Sequence, residues 1–232
     1  MMPYLYFNPV GMGFILIAAI LSLVAQMFVK SNYSKYSKVK TMGSMTGADV
    51  ARRILELNNI TDVEVVQSKG GVLSDHYDPT KKIVALSPDV YKNNSIASVS
   101  VAAHEVGHAI QHAEAYAFIG IRNKLLPLAI TGNSISMIAI MIGIFAQDTT
   151  IFYVGIGALL LMAAFQLVTL PVEFNASARA LKILDQQAIL TQNELPGARK
   201  MLSAAALTYV AALVATLMSV LRYIAVFNSR KD

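Results

Sequence analysis

Cysteine is absent from all 232 residues. That excludes a disulfide framework, a thiolate nucleophile and thiolate metal ligation. A transition metal here must be held by histidine, carboxylate or water. The absence also fits a site facing a reducing cytosol. Charge is nearly as scarce: Lys, Arg, Asp and Glu make up 14% of the chain, with four histidines and six glutamates. Beside 55% hydrophobic residues and a mean hydropathy of +0.53, this excludes an ordinary soluble domain. The net charge is +5, but no basic patch is interleaved with aromatics and no glycine loop cradles phosphate, so no nucleic-acid partner is expected.

What is present is apolar and contiguous. Residues 1–29 carry no charge, 125–172 carry only Asp148, and 204–221 carry none. A bilayer core takes about 20 helical residues, which predicts spans at residues 10–29, 125–146, 151–170 and 202–221. No basic region precedes the first run and no small-residue cleavage site follows it, against a removable signal segment. Lys30, Lys35, Lys38 and Lys40 come next. Positive charge stays in the cytoplasm, which puts residue 30 onward inside, with Tyr33 and Tyr36 in an interfacial belt. The link 147–150 has no basic residue, as an outer loop should. Spans two and three therefore form a hairpin that leaves and returns to the cytoplasmic face. Residues 30–124 and 171–201 become two cytoplasmic blocks. The tail, with Arg222, Arg230 and Lys231, falls outside, mildly against the positive-inside rule. A last helix lying along the interface is the alternative.

In the first block, Thr46 reads as the N-cap of a helix running to Asn58, with Val50, Ile54 and Leu57 as its apolar stripe. Residues 62–67, 72–74 and 82–86 read as short strands. Residues 68–71 are turn chemistry, and 75–79 separate the second strand from the third. The expected fold is a mainly α, multi-pass membrane protein with a small β-sheet in its extramembrane part.

His104-Glu105-Val106-Gly107-His108 lies inside an apolar, alanine-rich run, residues 95–115, that reads as helix. Four residues make about one turn, so both imidazoles share a face and can grip one cation. Zinc accepts imidazole nitrogen, and a catalytic zinc takes three protein ligands plus a water. Glu105 stands about 100° round the helix, where it can take a proton from that water. His76, His112 and a downstream carboxylate are the candidates for third ligand. His112 continues the i, i+4, i+8 series but lies about 12 Å along the axis from His104, too far for one ion. It is instead a polar helix residue or a contact to substrate or ligand. Glu173, on a helix-forming stretch just past Pro171, is better placed, because the hairpin of spans brings it back to the face of the motif helix. His76, Tyr209 and Arg179 are the candidates for stabilising charge on a scissile carbonyl.

His-Glu-x-x-His, two spans, then Glu-Phe-x-Ala-x-x-x-Ala resembles the gluzincin metallopeptidases, especially the HtpX-like and CAAX-prenyl-protease-like membrane enzymes. The chain resembles the YugP-like membrane zinc metallopeptidases (neutral zinc metallopeptidase family 2) more closely. The matching stretches are residues 73–79 (Leu-Ser-Asp-His-Tyr-Asp-Pro), 102–111 (Ala-Ala-His-Glu-Val-Gly-His-Ala-Ile-Gln), 173–177 and 204–212, and the likeness spans nearly the whole chain. It implies a cytoplasmic gluzincin-like zinc peptidase domain, one catalytic Zn2+ held by His104, His108 and Glu173, and Glu105 as catalytic base. The implied partners are a protein or peptide substrate and the lipid bilayer, with other membrane proteins or a second copy as further candidates. One departure stands out. Four residues past the ligand glutamate, gluzincins usually carry an aspartate that orients a zinc histidine, and here that position is Ser177. Serine can hydrogen-bond the imidazole but adds no charge, and Asn175 is a candidate to share the task. The alternative is a non-catalytic membrane scaffold with a structural or vestigial zinc site, in which Glu105 would have no purpose. A transporter is disfavoured, because the spans are almost free of ionisable residues.

Overall fold

The computed structural model describes residues 9–229. Among the described residues seven helices and three strands follow one another: α1 Pro9–Tyr36, α2 Gly47–Leu57, β1 Glu64–Gln67, β2 His76–Asp78, β3 Ile83–Leu86, α3 Pro88–Lys92, α4 Ile96–Ala113, α5 Ala117–Ala146, α6 Thr149–Gln186 and α7 Leu195–Asn228. The fold is mainly α, and α1, α5, α6 and α7 are each long and apolar enough to cross a membrane. The chain divides into two compact units. One holds residues 9–26, Gly120–Leu170 and 207–229; the other holds Met27–Ile119 and Pro171–Ala206. The expected outward basic residues Arg230 and Lys231 lie outside the described residues.

In the apolar helical unit the large aliphatic side chains point outward. Ile138 is 63% exposed and Val154 60%. Helices this apolar all round need lipid as solvent. The interior is small: Phe152 stacks on Phe227 with ring centroids 4.0 Å apart, packed among Ile140, Ile144 and Ile156. Gly143 lets α5 and α6 touch, since a Cβ there would fall 2.5 Å from the Phe152 nitrogen. Only Gln147 and Asp148 link the two helices, fewer than the four residues expected. Gln147 takes φ 56°, and Asp148 Oδ1 accepts the Ile151 N–H at 2.9 Å. Pro171 does not end α6, although it removes one N–H from the helix ladder.

The mixed unit buries its apolar residues. Thr46 caps α2 through a reciprocal pair: its hydroxyl accepts the Asp49 N–H, and the Asp49 carboxylate accepts the Thr46 N–H. The sheet order is β1-β3-β2, with β1 parallel and β2 antiparallel to β3. Val84 of β3 and Ile54 of α2 join Val99, Val106, Leu184 and Leu190 in one core. Two sequence expectations change here. Residues 72–74 are not a strand, because Leu73 adopts φ 65° and prolongs the preceding turn. The second strand is His76–Asp78 instead, within the stretch read as a connecting loop. Its polar residues suit a sheet edge that is only part-buried.

Candidate metal centre

α4 starts where Ser95 accepts the Ser98 N–H and runs for 18 residues, long enough to carry His104 and His108 one turn apart. It meets the C-terminal part of α6 almost backbone to backbone. A Cβ at Gly107 would lie 2.8 Å from the Ala176 carbonyl oxygen, so the glycine of the motif permits this crossing. The crossing delivers Glu173. Its Oε2 lies 3.4 Å from His104 Nε2 and 3.7 Å from His108 Nε2. The imidazoles stand edge to face, 4.8 Å between centroids. One ligand atom from each of the three residues falls within 4.8 Å of the others.

Glu173 is 3% exposed, and its Oε2 has no hydrogen-bond partner. A buried carboxylate oxygen left unpaired is costly. Here it faces two imidazole nitrogens whose opposite ring nitrogens are already occupied. His104 Nδ1 is 3.1 Å from Ser177 Oγ, and His108 Nδ1 is 3.0 Å from Gln111 Oε1. Two imidazoles and one carboxylate converging in this way fit a divalent cation such as zinc, with each histidine oriented from behind.

The electrostatics follow from burial and close charges. Burial alone opposes a charged His108; the nearby carboxylates of Glu173 and Glu105 outweigh it and lift the His108 pKa above its ordinary value. Burial pushes the Glu105 pKa up; the two imidazoles oppose this, while Asp75 and Glu173 add to it. Asp75 is itself raised by burial, although it accepts both the N–H and the hydroxyl of Ser87.

The remaining candidates are placed as follows. Ser177 sits against His104. His112 is not part of the cluster; its Nδ1 is 3.0 Å from the Tyr77 hydroxyl. His76 is exposed on β2, its Nδ1 2.9 Å from the Ser74 carbonyl oxygen. Arg179 donates from Nε to Asn175 Oδ1 at 2.7 Å and pairs with Glu114 at 2.7 Å. Tyr209 belongs to the apolar unit. The sequence reading missed Gln111, which is fully buried. A long amide in an apolar run, one turn past the second histidine of the motif, is the signal that marks it.

Known proteins resemble this chain along most of its length. Residues 12–228 match the family model described as "Putative neutral zinc metallopeptidase". The chain is 46% identical over 222 residues to "Putative membrane protease YugP" of Bacillus subtilis (strain 168), covering 94% of this chain and 97% of that protein. No solved structure gives a significant match.

Proposed function

The chain belongs to that zinc metallopeptidase family, and from this premise we propose that it is a membrane-bound, zinc-dependent endopeptidase that cleaves proteins at or near the cytoplasmic membrane face. The observation that carries the reading is the unpaired, buried Glu173 Oε2 facing both motif imidazoles. His104, His108 and Glu173 would hold one Zn2+. When bound, zinc acts as a Lewis acid on the scissile carbonyl and brings the pKa of a water towards about 7.

The chain's own residues do the rest. Water adds to the scissile carbonyl carbon, and the Glu105 carboxylate takes one of its protons. Glu105 then passes that proton to the amine nitrogen as the C–N bond breaks. Ser177 and Gln111 keep the ligand imidazoles from turning. An extended substrate segment would pair with the free edge of β2, which bonds only to β3 among the described residues. Glu173 follows the third predicted span by three residues, which favours membrane proteins or membrane-proximal segments as substrates. The lysines after the first span favour the cytoplasmic side.

The test is metal content and casein cleavage by the purified full-length protein beside His108→Ala. We expect about one zinc per chain and cleavage in the parent, and loss of both in the variant. A parent that binds zinc but cleaves nothing would favour the scaffold reading.

A further inference from the structure

The two ligand histidines are oriented in physically different ways. Ser177, behind His104, offers a hydroxyl that can donate or accept. That contact leaves His104 free to carry its proton on either ring nitrogen. Gln111, behind His108, has no such freedom, and the reason begins two side chains away.

Arginine has donors only. Its Nε at Arg179 lies 2.7 Å from the Asn175 carboxamide, so Asn175 must present oxygen there. The same oxygen lies 3.0 Å from the Gln111 amide, which must therefore turn its nitrogen to Asn175. A second contact demands the same orientation independently: the Gln111 nitrogen is 2.7 Å from the Val172 backbone carbonyl, which can only accept. Both amide hydrogens are thereby used. The Gln111 oxygen is left facing His108 Nδ1 at 3.0 Å, so that nitrogen must carry the proton. In the neutral ring His108 Nε2 is then the unprotonated nitrogen, and it is the one on the Glu173 side, 3.7 Å from Oε2. Arg179, which can only donate, and the Val172 carbonyl, which can only accept, set both amide orientations.

We propose that Gln111 is a positioning residue that fixes His108 as the Nδ1–H tautomer and ties it to α6 at the residue before Glu173. This rests on reading His104, His108 and Glu173 as metal ligands. Gln111 spans the two helices that supply them: it lies on α4 and holds the α6 carbonyl adjacent to the third ligand. It does with a neutral, fully buried amide what a charged orienting group does elsewhere. Asn175 and Arg179 act behind it, and Glu114 closes the far end of the chain through Arg179.

The experiment uses the full-length protein in detergent, parent beside Gln111→Leu and Asn175→Ala. Zinc affinity is measured by competition with a chelating indicator. The protonated ring nitrogen of His108 is read from histidine 15N spectra of metal-free protein at a pH where the ring is neutral; only four histidines have to be assigned. The parent should show His108 protonated at Nδ1 alone. Gln111→Leu should mix the tautomers and weaken zinc binding by about 10- to 100-fold. Asn175→Ala, which removes one of the two anchors of the amide, should weaken it by less. Parent-like zinc affinity and parent-like Nδ1 protonation in Gln111→Leu would overturn the proposal. Should that variant fail to fold, the same parent-like pair of results in Asn175→Ala would overturn it. A parent that takes up no zinc would overturn the metal reading instead, and the metal-free tautomer spectra would still judge Gln111.

Discussion

The two units of this protein treat the same side chains in opposite ways. In the apolar unit Ile138 and Val154 lie 63% and 60% exposed, while in the mixed unit Val84, Leu86 and Val106 are fully buried. In the first, glycines allow close helix contacts around a small core and many large aliphatics face out; in the second, the large aliphatics make an extended core. One chain is thus written for two solvents. Exposure measures a penalty only once the solvent is known.

Substituting lysine at two similarly exposed positions would break the comparison most sharply. Ile138→Lys puts a charge on a face the account assigns to lipid, at a cost of about 2.5–3.5 kcal/mol near a span's centre. Val72, 58% exposed on a turn of the mixed unit, should accept lysine within about 0.5 kcal/mol. Yield of folded, membrane-inserted protein is the measurement, and equal yields would contradict the assignment of solvents.

The two glycine crossings come next. A methyl at Gly143 meets the Phe152 backbone, and one at Gly107 meets the Ala176 carbonyl. Each Gly→Ala change should cost about 1–3 kcal/mol of stability, read by thermal unfolding in detergent. Only Gly107→Ala should also weaken zinc binding, because only that crossing brings Glu173 to His104 and His108. Equal zinc affinity in both variants would count against the crossing as the device that sets ligand spacing.

The smallest effect is in pH. His108 is lifted above its ordinary pKa in metal-free protein, so its proton competes with the metal at a higher pH than a free imidazole's would. Zinc affinity should be flat above that raised value and fall by about tenfold per pH unit below it. His112, bonded to Tyr77 and outside the His104–His108–Glu173 group, should leave this profile unmoved when replaced by Asn. A break at or below the ordinary imidazole range would show that the carboxylates do not act on His108 as described.

Much of this architecture is legible in the sequence, for unequal physical reasons. The four apolar helices are legible because a bilayer demands long uncharged runs, and such runs are rare by chance. The Thr46 cap is legible because its partner is three residues away. The convergence of His104 and His108 is a consequence of helical pitch, and Glu173 follows from a hairpin that must return. Contacts without a local signature are harder. β2 is three polar residues whose pairing with β3 is invisible until the sheet forms, and Leu73 enters a backbone region that a leucine does not advertise. α6 passes through Pro171 where a proline suggests a boundary. Gln111 looks like the polar end of an apolar helix until α6 supplies Val172 and Asn175.

The account stands most directly on Glu105. Its replacement by glutamine keeps the shape of the side chain, leaves His104, His108 and Glu173 in place and removes the carboxylate proposed to accept the proton. Measured on the full-length protein, Glu105→Gln should retain about one zinc per chain while peptide cleavage falls by at least about 100-fold. Cleavage at the parent's rate in a zinc-loaded Glu105→Gln protein would contradict it.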